Sequence, residues 1–151
     1  MPVDIRGVAH PPATRGARED PSDLSAAEIG QTNLAGTALH WEHDTRKQVG
    51  SVLASWEAPD GSLRMRATVT DPGVERRVRN GTGRGLSLGT DMISTEKGDV
   101  LMRAQRELSV CKEGRRKGTW IDHVDGTRVM RHARASAGEL FTIPAGYSGS
   151  G

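Results

Sequence analysis

A short stretch near the middle of the chain alternates strictly between two kinds of side chain. In residues 63–69 every odd position is apolar, and every even position is Arg or Thr. A period of two residues predicts a β-strand with one face in the core and the other toward solvent. A Pro-Asp-Gly turn at residues 59–61 separates it from another strand-like run at residues 48–56. Together these segments predict an antiparallel hairpin.

The rest of the chain supplies more strand candidates and a few short helices. Further strands are predicted at residues 3–9, 86–93, 100–110 and 118–124. Helices are predicted between Asp20 as N-cap and Gly30 as C-cap, at residues 74–79, and at residues 127–140. The sum predicts a mainly β (α+β) domain built as a barrel with peripheral helices.

Length and composition exclude several classes of protein. The 151 residues fit one domain, and we expect residues 1–145 to form it and residues 146–151 to be a flexible Gly/Ser tail. Only 3% of residues are aromatic, so the core must be aliphatic. Cys111 is the single cysteine, which excludes an intramolecular disulfide. No apolar run reaches membrane-spanning length and no signal peptide is visible, so no membrane partner is expected.

The positive charge is too small to indicate nucleic acid by itself. Lys and Arg number 21 against 19 Asp and Glu, and the basic residues cluster only at residues 76–79 and 115–117. Few aromatic side chains are available to stack on bases. A nucleic-acid-binding β-barrel is therefore only the best non-enzyme alternative, and nucleic acid is not expected as a partner.

A Gly-x-Ser-x-Gly pattern at residues 85–89 makes Ser87 a candidate nucleophile. The residues after Ser87 form a poor helix, so an α/β-hydrolase elbow is not expected. A serine nucleophile needs a base, and His43, beside a turn at the end of a strand, can serve. His40 and His43 would lie on opposite faces of a strand, so we expect no shared metal. No metal or organic cofactor is predicted.

The segment at residues 107–119 is the most specific motif in the chain. Its residues alone indicate a strand that enters a basic Gly-Arg-Arg turn and leaves as another strand. The segment closely resembles the signature of the herpesvirus assemblins, which are capsid maturation serine proteases. Residues 39–44 with 49–52 resemble that family's histidine segment, and residues 85–88 resemble its nucleophile segment. The three motifs occur in the family's order and span residues 38–119.

The resemblance implies a closed antiparallel β-barrel and a set of site residues. It implies Ser87 as nucleophile, His43 as base, Arg115 as the main-chain oxyanion donor, and Arg116 as the residue that orders a supporting water. Herpesvirus assemblins carry a second histidine where this chain has Glu107.

The acid at that position has a parallel in a second branch of the superfamily. Glu107 and the residues after it are similar to the Glu-x-Ser-x-Val stretch of tailed-phage prohead proteases, which share the fold and carry an acid there. A carboxylate would hold the imidazole in the required tautomer. We therefore predict a Ser87–His43–Glu107 triad, with Asp91 and His123 as the alternatives for its third member.

The resemblance also implies a biological role. It implies a viral serine endopeptidase that cleaves scaffold protein and its own precursor inside the procapsid, in the nucleus or cytoplasm of the host. The capsid shell protein would be an indirect partner, and Ala135-Ser136 is a candidate internal cleavage point. The family's dimer helices are missing, which leaves a homodimer open, with residues 127–140 as a candidate surface. The alternative is a catalytically inactive, scaffold-associated or nucleic-acid-binding β-barrel.

Overall fold

The computed structural model describes residues 2–13, 23–94 and 100–130, with residues 90–94 and 100–106 described by their backbone alone. Eight strands and two helices lie within these ranges. The strands are β1 (Val3–His10), β2 (Ala38–Trp41), β3 (Gly50–Glu57), β4 (Leu63–Val69), β5 (Gly85–Ser94), β6 (Val100–Cys111), β7 (Ile121–Val124) and β8 (Thr127–Arg128). The helices are α1 (Ala26–Gln31) and α2 (Pro72–Asn80). Neither helix in this part of the chain is long and apolar enough to cross a membrane.

The strands form one curled, eight-stranded sheet in the order β5-β6-β2-β3-β4-β1-β7-β8. All neighbouring strands are antiparallel except β2 and β6, which are parallel. The mainly β class is confirmed, but the closed antiparallel barrel is wrong, since the sheet is a half-barrel. Closure would need β5 to pair along the opposite edge. That edge consists of the short β7 and β8, and among the described residues β5 meets it at a single bridge, between Gly85 and Trp120 just before β7.

The alternating stretch forms β4 with the predicted bounds and lies in the middle of the sheet. It pairs with β3 on one side and β1 on the other. Leu63, Met65, Ala67 and Val69 are fully buried. The hydrophobic core described here contains no fully buried Trp, Tyr or Phe, and consists of Val, Leu, Ile, Ala and Met side chains. Because these side chains are small, the core depends on close packing between neighbouring strands.

Two helix predictions are wrong in part. The first helix begins after Ser25, whose hydroxyl accepts from the Glu28 main-chain N–H while the Glu28 carboxylate accepts from the Ser25 main-chain N–H. This capping box starts α1 later than predicted, and the helix continues past Gly30. The proposed N-cap, Asp20, lies outside the described residues.

The helix predicted at residues 127–140 is replaced at its start by β8. Asp125 and Gly126 adopt positive φ values of 50° and 82°, which suit a two-residue hairpin and join β7 to β8. Residues 131–140, the cleavage point Ala135-Ser136 and the tail at 146–151 lie outside the described residues.

Asp71 caps the N-terminus of α2, and its carboxylate contributes to the stability of the protein. Its carboxylate accepts from the Val74 N–H at 3.0 Å and pairs with Lys47 Nζ at 2.7 Å. The hydrogen bonds from Lys47 and then from Val74 hold the pKa of Asp71 below its usual 3.8. The contribution of the carboxylate is therefore fully present above that pH and is lost as the pH falls through the folded-state value.

Replacing Asp71 with alanine should lower the free energy of unfolding by about 1 kcal/mol at neutral pH. The loss should shrink in acid, where the wild-type carboxyl is protonated. Urea unfolding of wild type and Asp71→Ala at pH 7 and at low pH measures both values. Asp71→Asn, which keeps a capping oxygen, is the matched control and should lose less. A gap between wild type and Asp71→Ala that widens in acid would contradict this account.

Candidate active site

The end of β2 places His43 over the sheet. The strand stops at Trp41, and Glu42 and His43 then adopt left-handed φ values of 50° and 62°. Residues other than glycine adopt this conformation at an energetic cost, so contacts must hold it. The Glu42 N–H donates to the carbonyl of Val110, and the His43 N–H donates to Ser109 Oγ, each at 3.0 Å. Strand β6 therefore fixes the turn that presents the imidazole.

His43 lies between a hydroxyl and a carboxylate. Its Nε2 is 2.9 Å from Ser87 Oγ, and its Nδ1 is 2.7 Å from Glu107 Oε2. Ser87 lies within β5 and Glu107 within the adjacent β6, where Ser87 pairs with Ser109. Strand β5 continues beyond Ser87, as expected for a site that is not a nucleophile elbow. In this arrangement the carboxylate can hold the Nδ1 proton while Nε2 takes a proton from the hydroxyl.

Ser109 connects the carboxylate to the histidine backbone. Its hydroxyl donates to Glu107 Oε1 and accepts from the His43 N–H. The residue is fully buried, so water does not compete for these bonds. This role of Ser109 was not predicted from the sequence. The available signal was the Glu-x-Ser spacing, because residues two apart on a strand share one face.

The site is buried at the serine and open at the histidine. Ser87 is buried, whereas the His43 side chain is 47% exposed and the Glu107 side chain is 18% exposed. A molecule from solvent can therefore reach the imidazole.

The nearby Cys111 thiol is not a competing nucleophile. It donates to the Glu113 carbonyl, and burial, followed by the negative charge of Glu42, raises the pKa of Cys111 to about 12. The thiol therefore stays protonated at neutral pH, and only a thiolate would be an effective nucleophile.

The Gly-Arg-Arg turn packs closely against the strand that carries Ser87. A Cβ added to Gly114 would lie 2.2 Å from Thr119 Oγ1 and 2.7 Å from the Leu86 carbonyl oxygen. The Leu86 N–H donates to the Thr119 carbonyl, and the Thr119 hydroxyl donates to the Arg116 carbonyl. The absence of a side chain at Gly114 therefore lets the turn lie directly beside β5.

Arg116 connects this turn to two other parts of the chain. Its side chain is only 8% exposed. Nη1 donates to the carbonyl of Leu88, the residue after Ser87, and Nε donates to Asp23, each at 2.7 Å. Asp23 falls within the helix predicted between Asp20 and Gly30, and no local sequence pattern indicates this ion pair. The guanidinium thus fixes the turn that carries Arg115 and Arg116 relative to Ser87.

Comparison with known proteins identifies the fold. No protein-family model and no curated protein matches the sequence. Among solved structures, the Kaposi's sarcoma-associated herpesvirus (KSHV) protease bound to a hexapeptide phosphonate inhibitor superposes with a TM-score of 0.56 at 14% identity. The match covers 80% of this chain and 64% of that one. The fold is assemblin-like.

Two more structures of the herpesvirus protease agree with this result. The complex with a dimer disruptor has a TM-score of 0.51 at 17% identity, and a complex with an allosteric inhibitor has 0.51 at 16%. Each match covers 79% of this chain and 74% of the other. The assemblin-like fold predicted from three motifs is therefore confirmed. The chain spans less than two thirds of the length of the first similar structure.

Within the assemblin-like fold, the other candidate site residues lie as follows. His123 Nδ1 is 2.8 Å from its neighbour Asp122, and that carboxylate, not His43, is its partner. The side chain of Asp91 lies outside the described residues.

His40 and His43 were expected on opposite faces of a strand. This expectation is wrong, since the Nδ1 atoms of both residues approach the Glu107 carboxylate. The alternation does not extend to His43, because β2 ends at Trp41. No group of three potential metal ligands is present in the described ranges.

Several arginines, two of them from the basic cluster at residues 76–79, have partners within the protein. The buried Arg84 guanidinium donates to three main-chain carbonyls, and burial lowers its pKa. Arg77 lies over the Trp41 ring at 4.9 Å, and Arg79 pairs with Asp125 at 2.8 Å. These arginines stabilise the assemblin-like fold and are poorly placed to neutralise phosphates.

Proposed function

We propose that this chain is a serine endopeptidase that acts in viral capsid maturation, with Ser87 as nucleophile, His43 as base and Glu107 as the third member of a triad. The observation that carries the proposal is the position of His43, within hydrogen-bond distance of both the Ser87 hydroxyl and the Glu107 carboxylate. The likeness of the fold to viral proteases supports a peptidase.

The proposed reaction proceeds through an acyl-enzyme. His43 Nε2 takes the proton of Ser87 Oγ while that oxygen attacks the peptide carbonyl carbon. Glu107 keeps the Nδ1 proton in place and stabilises the imidazolium. The imidazolium then gives its proton to the leaving amine, and the peptide C–N bond breaks. Water, activated by the same imidazole, hydrolyses the ester and regenerates the Ser87 hydroxyl.

The Gly-Arg-Arg turn is proposed to stabilise the oxyanion. The main-chain N–H of Arg115 would donate to the developing negative charge, and Arg116 would order a water that supports it. Two features favour this role. The close contact of Gly114 with Leu86 and Thr119 holds the turn beside β5. The Arg116 guanidinium donates a hydrogen bond to the Leu88 carbonyl. A fixed donor stabilises the transition state without reorganising during the reaction.

The proposed substrates are the scaffold protein and the enzyme's own precursor, cleaved inside the procapsid, with the capsid shell protein as an indirect partner. A homodimer is part of the proposal and is supported by a similar herpesvirus protease solved with a dimer disruptor.

Covalent labelling with a peptidyl diphenyl phosphonate tests the proposal. Attack by Ser87 Oγ forms a P–O bond, phenoxide leaves, and His43 accepts the serine proton. Intact mass and peptide mapping should show one adduct, at Ser87, in the folded protein. Ser87→Ala should not react, and His43→Ala should react far more slowly.

The matched control is His123→Ala, which removes a histidine bonded to a different carboxylate and should label at the wild-type rate. Equal labelling of wild type and His43→Ala, or no labelling of the folded protein, would overturn the proposal. DNA binding with a steep salt dependence would then favour the nucleic-acid alternative.

A further inference from the structure

His40 is a second histidine beside the Glu107 carboxylate. Its side chain is 13% exposed, and its Nδ1 is 3.4 Å from Glu107 Oε1. That nitrogen is buried and makes no hydrogen bond at this distance. A buried polar nitrogen without a partner is costly, so its position next to a carboxylate oxygen requires an explanation.

We propose that His40 is a positioning residue, whose imidazole donates its Nδ1 proton to Glu107 Oε1 and holds the other oxygen on His43. The kinetic meaning of this inference rests on the proposed function, whereas the contact itself does not.

The charge distribution selects the tautomer of His40. With the proton on Nε2 alone, the lone pair of Nδ1 would face the electron pairs of Oε1 and repel them. With the proton on Nδ1, the same geometry is attractive. Typical N–H···O bonds measure about 2.9–3.0 Å, so a small rotation of either side chain closes the contact.

The carboxylate can accept all three donors at once. Its two oxygens offer about four lone-pair sites in total. Oε2 receives His43 Nδ1, and Oε1 receives the Ser109 hydroxyl and has a site left for His40. Ser109 approaches from β6 and His40 from β2, where the two residues are register partners. Donors from two strands prevent the carboxylate from turning away from the imidazolium that forms during catalysis.

Two substitutions at His40 distinguish the effect of its hydrogen bond to Glu107 from the effect of its side-chain packing. Asparagine places an amide N–H near the position of Nδ1, whereas leucine fills the space and donates nothing. The rate constant at saturation and the apparent affinity for the diphenyl phosphonate are measured separately. We expect His40→Leu to lower the saturated rate about tenfold and to leave the affinity within about twofold. His40→Asn should stay close to wild type, and His123→Asn is the matched control.

Proton NMR gives a readout that does not need activity. The ring N–H of His43 bonded to Glu107 should give a downfield signal, which is assigned by its loss in His43→Ala. The signal should broaden by exchange with water in His40→Leu and persist in His40→Asn. Thermal melts of each variant establish that it is folded.

The outcomes distinguish this inference from the proposed function. If wild type is not labelled but the NMR signal depends on His40 as described, the peptidase proposal fails and the positioning role holds. If His40→Leu keeps both the signal and the rate of wild type, the positioning role is overturned. It is equally overturned if asparagine and leucine impair the signal to the same extent, because packing alone then explains His40.

Discussion

Replacing Glu107 with glutamine is expected to lower kcat by about 10⁴-fold, the effect of converting the acid of a Ser–His–acid triad to its amide. The side chain keeps its size and the buried contacts of its stem, so the protein should remain folded. Turnover of a peptide chosen from a cleavage-site library measures the loss. The same loss should appear in the rate of phosphonate labelling at Ser87.

The hydrogen bond from Ser109 explains why the Glu107→Gln substitution is expected to lower turnover so strongly. Its hydroxyl donates to Oε1, so the amide oxygen of glutamine will occupy that position and the NH₂ group will face His43 Nδ1. The imidazole must then accept at Nδ1 and carry its proton on Nε2. In that tautomer Nε2 donates to Ser87 and cannot take its proton.

The matched control is Glu113→Gln, which makes the same chemical change at an exposed residue beyond the end of β6. It should leave kcat within about twofold of wild type, as is usual for a surface substitution. Undiminished turnover by Glu107→Gln would remove Glu107 from the triad. Asp91 would then become the candidate, since His123 is bonded to Asp122.

Replacing Gly114 with alanine should lower the labelling rate at Ser87 by about 10²-fold or more, comparable to the loss of one oxyanion donor. The new methyl group would overlap Thr119 Oγ1, at 2.2 Å, and the Leu86 carbonyl oxygen, at 2.7 Å. Leu86 is part of β5, and its carbonyl cannot withdraw without disturbing Ser87. The turn must therefore move away from the nucleophile, which displaces the Arg115 N–H.

Gly118→Ala is the control within the same turn. Gly118 has a φ of +80° and open space around an added Cβ. Alanine there should cost about 1–2 kcal/mol in backbone strain but leave the position of the turn unchanged. We expect Gly118→Ala to melt at a lower temperature and, while folded, to label at nearly the wild-type rate. Equal labelling by the two variants would contradict a role for the position of the turn.

The sequence pattern was sufficient to predict most of the strands, although β8 was predicted as the start of a helix, and it did not predict which strands are neighbours. Alternation located β4 because both of its sides are occupied by strands and one face is buried. The pattern holds no information on the parallel pairing of β2 with β6, which joins Leu39 to Leu108. It also does not show that the opposite edge ends in the short β7 and β8. The closed barrel was implied by the resemblance to the assemblins, and the sheet does not close.

The residues of the candidate site could be proposed from the sequence where they lie in continuous motifs, but not where their placement depends on a reversal of the backbone. Ser87, His43 and Glu107 came from three motifs. Local rules placed His40 on a strand face opposite His43, and Asp23 falls within the predicted helix between Asp20 and Gly30. The left-handed φ values of Glu42 and His43 break the alternation at a position with no glycine to signal it. Asp23 meets Arg116 across 93 residues of sequence, a contact that no local pattern encodes.

The parallel pairing of β2 with β6 also determines when the site can form. Two strands that run in the same direction cannot be joined by a tight turn, so a long stretch of chain must fold between them. His43 is 44 residues from Ser87 and 64 from Glu107. Contacts this distant in sequence form late, since the chain between them must first lose the conformational entropy of loop closure. A partly synthesised chain that ends before β6 lacks both the acid and the strand that holds the histidine. The constellation therefore arises only once β6 has paired with β2.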